Sequence, residues 1–511
     1  MDAISLSIFS SQMNSICQEM GAVLQQASFS PNIKDRLDFS CAVFDQKGEL
    51  CAQAAHIPVH LGSMAYAMRD IVNACEWQAG DMLIVNDPYL GGTHLPDVTL
   101  IAPVFHQEKL MAFVVNRAHH ADIGAESPGS MPISRCLEEE GVIIAPTKLL
   151  IEGQLDEAFL KYLLSFMGDE AFAQGDFFAQ ISANKTGVNR LLAIIRKMGA
   201  EGFDDGLLAL NEYGARMART GLSKLPNGEY CFEDFMDDDG FGNKGLPIKV
   251  KVIIDDNEVS VDFAGTADQV EGNVNAPMSV AAAAVYYVFR CLMPDETPAC
   301  AGTFRGIRLS APVGCLVNAK RPAAVAAGNV ETSTRVVDVI LGALAQAVPE
   351  LIPSASHGSM NNIAMGGRSD GRAWNYYETI GGGMGAGSSG GGLSGLHTHM
   401  TNTLNTPIES LEMHFPLRVS RYALRAGSGG RGQTPGGDGL VREFEFLDDA
   451  EVTLLTERRD YAPWGLAGGE SGKKGVNQLD GAQLPPKVSL KVRAGQRLCI
   501  QTPGGGGWGK P

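Results

Sequence analysis

Residues 4 to 27 set Leu6, Phe9, Met13, Ile16, Met20, Val23, Leu24 and Ala27 at intervals of three and four, the repeat of one helical face. The pattern then turns to alternation. Asp38 to Phe44 and Glu49 to Ala54, joined by the turn Asp45-Gln46-Lys47-Gly48, predict a β-hairpin. A helix over Ser63 to Cys75 and a strand at Met82 to Val85 follow. Val98 to Phe105 and Leu110 to Asn116, apolar and β-branched around the polar turn His106 to Lys109, make the clearest strand pair of the chain. Residues 154 to 223 read as mainly helical, and Leu225 to Gly228 as a turn. Ile248 to Ile254 and Val259 to Phe263 form a further hairpin. Helices near 277–292 and 331–347 flank a short strand at Gly306 to Leu309. Short strands such as Glu443 to Phe446 and Val452 to Leu455 stand in a glycine-rich remainder. Helical and strand-rich stretches succeed one another without regular βαβ alternation, which predicts a large mixed α+β, multi-domain fold rather than a doubly wound sheet. Weak boundaries near 150, 225 and 380 divide it into residues 1–150, 151–225, 226–380 and 381–511.

Composition changes this picture in three places. The chain has 511 residues, 44% of them hydrophobic, enough to bury a large core without disulfides. Its formal net charge of −17 repels phosphate backbones and anionic lipid, so neither nucleic acid nor membrane is an expected partner. The longest apolar stretch, Ala276 to Met293, is alanine-rich and contains Pro277 and Arg290, which suits a buried helix better than a membrane span. None of the ten cysteines forms a CxxC pair, and no charged and then apolar leader opens the sequence, so a cytoplasmic protein with reduced thiols is the expectation. Cys41 and Cys51 fall on the two arms of the first hairpin and read as neighbouring core thiols. The 61 glycines crowd residues 381–395, 427–439 and 504–509, where long helices are excluded.

Candidate chemistry gathers at one end of the clearest hairpin. Opposed positions there sum to about 215, which sets Asp97 opposite residue 118 and leaves His94 just beyond the same end. His94, Asp97 and His119 therefore fall in one cluster, and two imidazoles with a carboxylate suit Mn²⁺, Zn²⁺ or Fe²⁺ with positions left open. The competing reading is that these histidines cap loops. His120 or Asp122 can replace or join His119, because adjacent strand residues face opposite ways. Asp38 begins a strand, and nothing local brings it to the cluster; His56 and His60 read as helix caps or core hydrogen-bonding groups. Gly385 to Gly390 satisfies GxGxxG without the flanking strand and helix, Gly472-Lys473 lacks a phosphate loop's earlier glycine, and there is no GxSxG. The chain carries no nucleotide site of its own.

The stretches RLDFSCAVFD, HIPVHLGSM, NDPYLGGTHLPDVTLIAPVF, NRAHHADIG, LPNGEYCFEDFMDDDG, GNVNAP, THMTNTLNTPIESLE, GSGGRGQTPGGDG and QTPGGGGWG together resemble the hydantoinase B/oxoprolinase family over nearly the whole chain. That resemblance implies a subunit of an ATP-dependent hydrolase that opens a cyclic amide: hydantoin, 5-oxoproline or another lactam. The alternative it implies is the metal-bearing subunit of an acetone- or acetophenone-type carboxylase. A hydantoinase A-type partner would bind ATP and phosphorylate the substrate, in a hetero-oligomer. In the carboxylases a histidine, an aspartate three residues on and a histidine on the next strand hold the metal, which implies His94, Asp97 and His119 here. Asp38 of the RLDFS motif is implied as a further ligand or acid–base carboxylate, with His120 or Asp122 managing protons. The glycine loops read either as N–H donors for oxyanion or phosphate charge, or as compact packing.

Overall fold

The computed structural model describes residues 1–54, 56–369 and 372–511. Among them the strands form four sheets. The first is antiparallel and contains β1 (Phe39–Asp45), β2 (Leu50–Gln53), β3 (Met82–Val85), β4 (Asp97–His106), β5 (Lys109–His119), β6 (Thr147–Ile151) and β7 (Gln154–Leu155), in the order β2-β1-β5-β4-β3-β6-β7. Its central strands are apolar at nearly every position because both faces are covered. Val98, Leu100, Ala102 and Val104 face a core shared with the helices Ala3–Ala27, Glu170–Met198 and Ala200–Leu222, whereas Ile101, Phe113 and Val115 face the helix Pro58–Asn73.

The helix that the sequence places over residues 63 to 75 begins earlier, at Pro58, where proline suits the first turn, so His60 stands inside it. In the β4–β5 hairpin Asp97 pairs with His119 rather than residue 118; an irregularity between Val104 and Phe105 shifts the register by one. Cys41 lies opposite Ala54, not Cys51, and both thiols are free and buried.

The second sheet, in the order β11-β10-β9-β8, contains β8 (Gly228–Asp238), β9 (Lys244–Asp255), β10 (Glu258–Asp262) and β11 (Ile307–Ser310). The helices Met278–Cys291 and Ser333–Leu344 cover it. The sequence pattern assigns no strand to β8, whose inward positions include acids as well as apolar residues. A π-helical turn, Gly328–Thr332, leads into the helix Ser333–Leu344.

The third sheet pairs β12 (Asn362–Ser369) and β13 (Arg372–Glu378) with the strands Ala450–Leu455 and Lys487–Val492. In the glycine-rich remainder, backbones touch directly. A Cβ on Gly383 would stand 1.9 Å from the Gly437 carbonyl oxygen, and one on Gly505 2.0 Å from that of Met384. The N–H groups of Gly437, Gly505, Gly506 and Gly507 donate to backbone carbonyls, so in these loops they serve packing.

Candidate metal centre

Three backbone hydrogen bonds shape the open end of the hairpin. Asp97 N–H donates to the His94 carbonyl at 3.1 Å, His120 N–H to that of Pro96 at 2.9 Å, and His119 N–H to that of Asp38 at 3.0 Å. The last two tie the His94–Asp97 turn and the start of β1 to the end of β5. One ligand atom from each of His94, Asp97 and His119 lies within 4.8 Å of the others, and all three residues are buried. His94 Nε2, Asp97 Oδ1 and His119 Nε2 have no hydrogen-bond partner, although His94 Nε2 lies 3.4 Å from Asp97 Oδ2. Buried polar atoms are nearly always paired, so three convergent orphans of ligand type fit a cation held among them.

The surroundings set the ligand atoms. Ala326 O accepts from His94 Nδ1 at 3.3 Å, which leaves Nε2 as the free lone pair. Asn32 Nδ2 lies 3.2 Å from His119 Nδ1 and as placed donates to it; exchange of the amide oxygen and nitrogen would instead let Asn32 accept the Nδ1 proton and free Nε2. The second carboxylate oxygen of Asp97 takes the Thr93 hydroxyl, Asn329 Nδ2 at 3.3 Å and His60 Nε2 at 3.1 Å. Burial pushes the Asp97 carboxyl up, but His60 and His94 outweigh it and hold the group well below the usual carboxylate range. Burial opposes charge on His94, and Asp97 overcomes it, so its pKa is raised. Burial, reinforced by the neighbouring His94, holds His119 well below the ordinary histidine value, neutral as a metal ligand requires.

Asp38 stands beside this cluster, with Oδ1 3.9 Å from His60 Nε2 and Oδ2 3.6 Å from Arg36. Burial raises its pKa against the pull of Arg36. His120 turns to the other face of β5, where Nε2 meets Gln180 Oε1 at 3.0 Å and the ring packs on Phe177. Asp122 is fixed by Gly124 N–H, Ser130 Oγ and Gly168 N–H, as a loop anchor does. His120 and Asp122 instead line a separate cleft of about 650 Å³, together with Phe172, Asp176, Trp374 and Phe415.

Four residues near the centre carry no signal of their place in the sequence pattern. His60, which reads as a helix cap or a core hydrogen-bonding group, is the closest, and it takes the second role beside Asp97 and Ser40. Asn329 and Tyr377 come from more than 200 positions away. Tyr377 lies flat on the His119 ring, with centroids 4.7 Å and planes 5° apart. The Arg36 guanidinium sits 4.7 Å from the centroid of the same tyrosine ring and donates to its backbone carbonyl at 3.0 Å. No spacing rule signals Arg36, Asn329 or Tyr377.

Comparisons with known proteins agree with this architecture. An uncharacterized protein, MJ0963 of Methanocaldococcus jannaschii, is 39% identical over 100% of this chain and 91% of its own length. The 5-oxoprolinase 1 of Arabidopsis thaliana is 40% identical over 99% of this chain, which spans only 42% of that longer protein. A Pseudomonas protein named as one subunit of a D-/L-hydantoinase is 32% identical, with coverage of 100% of this chain and 90% of its own. The crystal structure of an ATP-dependent caprolactamase from Pseudomonas jessenii superposes with a TM-score of 0.94 at 27% identity, covering 100% of this chain and 92% of that one. An acetone carboxylase, at 17% identity and a TM-score of 0.88 over 99% and 76%, shares the fold. The Hydantoinase B/oxoprolinase family model matches residues 2–511, and the chain belongs to that family.

Proposed function

We propose that this chain is the metal-bearing part of an ATP-dependent hydrolase that opens a cyclic amide such as hydantoin, 5-oxoproline or a larger lactam. The observation that carries this reading is the buried cluster of His94, Asp97 and His119, with a ligand atom of each within 4.8 Å of the others and His94 Nε2, Asp97 Oδ1 and His119 Nε2 without hydrogen-bond partners. The 5-oxoprolinase, hydantoinase and caprolactamase names of its relatives support the substrate class. A partner of hydantoinase A type supplies ATP and phosphorylates the amide oxygen, which turns a poor electrophile into a good one. The sequence has no phosphate loop, in keeping with that division of labour.

His94, Asp97 and His119 would hold Mn²⁺, Zn²⁺ or Fe²⁺, with Asp38 as a further ligand or proton-handling group. A divalent ion there supplies Lewis acidity and lowers the pKa of water towards neutrality. The chain's own side chains do the rest. Arg36 and His60 orient Asp38 and Asp97, and the apolar core around them excludes bulk water. Asp38, its pKa raised by burial, accepts a proton from the attacking water and returns it to the ring nitrogen as the C–N bond breaks, which leaves an acyl phosphate that a second water hydrolyses. His120 and Asp122 remain candidates for proton delivery from the cleft side. The products are ADP, phosphate and the opened ring, an amino acid from a lactam or an N-carbamoyl amino acid from a hydantoin.

The deciding experiment is ATP turnover by the co-expressed pair against a lactam panel, with and without bicarbonate. Lactam opening without bicarbonate supports the hydrolase. ATP turnover that requires bicarbonate and a ketone would replace it with a carboxylase, a reading that the shared fold of acetone carboxylase keeps in view. Turnover undiminished after removal of the metal would overturn the mechanism.

A further inference from the structure

Residues 326 to 331 reach all three convergent side chains. The Ala326 carbonyl accepts from His94 Nδ1 at 3.3 Å, and Asn329 Nδ2 donates to Asp97 Oδ2 at 3.3 Å. Glu331 reaches His119 through two intermediaries. Its Oε1 accepts from Asn362 Nδ2 at 2.9 Å, and Asn362 Oδ1 accepts the Tyr377 hydroxyl at 2.5 Å. Tyr377 is the ring that lies flat on His119.

This segment is itself fixed. Glu140 Oε1 accepts the N–H groups of Val325 and Ala326 at 2.8 and 2.9 Å. Gly328 N–H donates to the Asn273 carbonyl at 2.9 Å, and a Cβ at that position would stand 1.8 Å from the Asn275 carbonyl oxygen. Asn329 and Glu331 lie on the π-helical turn Gly328–Thr332, a geometry that is rare and concentrates at functional sites. Both are buried.

We propose that this turn is the positioning element of the metal centre, in which Asn329 aims Asp97 and Glu331, through Asn362 and Tyr377, aims His119. The proposal rests on the metal reading above. Partners one shell out from a metal fix ligand orientation, and their loss lowers metal affinity by about 10- to 100-fold.

The test is titration of the full-length apoprotein with Co²⁺, reading the d–d absorption band and the affinity against a chelator, alongside the circular dichroism of each variant. Asn329→Ala and Glu331→Ala are expected to shift the band and weaken binding by about 10- to 100-fold. Glu331→Gln keeps an oxygen that accepts from Asn362, so it is expected to restore both readouts. Tyr377→Phe removes a single hydroxyl and leaves the stack; it keeps the test open if an alanine variant fails to fold, and a loss of about tenfold is expected. Wild-type band and affinity in the folded variants would overturn the proposal, as would Glu331→Gln behaving like Glu331→Ala. A wild-type protein that binds no Co²⁺ would instead overturn the underlying metal reading.

Discussion

Between the two carboxylates of the site stands His60, 3.1 Å from Asp97 and 3.9 Å from Asp38. An imidazole so placed lets two buried acids approach one centre without facing each other directly. The ligands beside it are expected to dominate binding. Metal at about 100 times its Kd should stabilise the folded chain by about 2.7 kcal/mol, seen as a rise in Tm; His94→Ala should abolish that rise while the apoprotein still melts cooperatively. A metal-dependent Tm shift retained in that variant would remove His94 from the ligand set. Glu331 gives a pH-dependent expectation. Burial pushes its carboxyl up to about 8 from an ordinary value of 4.5, so the folded state holds a proton that the unfolded chain releases across that interval. Stability through this group is therefore greatest below pH 4.5 and falls as pH rises towards 8. Glu331→Gln should flatten the decline of apoprotein Tm between about pH 5 and 8, and an unchanged slope would count against the buried proton.

At the scale of elements, the helix Glu170–Met198 is bolted to β4 and β5 by amides rather than by apolar contact alone. Gln180 Nε2 donates to the Val98 carbonyl and to Asn116 Oδ1, both at 2.9 Å, and its Oε1 meets His120. Asn184 Nδ2 donates to the Leu100 carbonyl at 3.0 Å. Gln180→Leu would leave several buried groups unpaired at about 1–3 kcal/mol each, so a fall in the midpoint of urea unfolding is expected, and a midpoint matching wild type would sink this account. The hairpin that these amides grip is also the part most legible in the sequence. Its continuous apolar run marks both strands and brings His94, Asp97 and His119 to one end, because local pairing fixes register through the turn alone. The one-residue difference in register comes from the irregularity between Val104 and Phe105, beside Pro103, whose place inside a strand is the sequence's signal of such a break. β8 is hidden because acids such as Asp234 and Asp237 occupy its inward positions, where they pair with Arg458 or accept from backbone N–H groups. Asn329 and Tyr377 are illegible for another reason: their roles exist only after segments hundreds of residues apart have met.

At the scale of the whole molecule, the centre is assembled from both halves of the chain. The first 225 residues contain Asp38, His60, His94, Asp97 and His119 but lack Ala326, Asn329, Asn362 and Tyr377. A fragment of residues 1–225 is therefore expected to bind metal at least about 100-fold more weakly than the full chain, by equilibrium dialysis; equal affinity would show that the remote partners are dispensable. Among the described residues no helix is long and apolar enough to cross a membrane. The interlocked loops of the glycine-rich region have a consequence for reading homologous sequences. Gly383, Gly437 and Gly505 have no room for a methyl group, so clearance by itself is expected to select against any side chain there. Their invariance in an alignment would look like a phosphate-binding signature while recording only how closely backbones pass. Mutational scans of this region should accordingly show intolerance as complete as at His94, in variants that lose the folded protein rather than the chemistry.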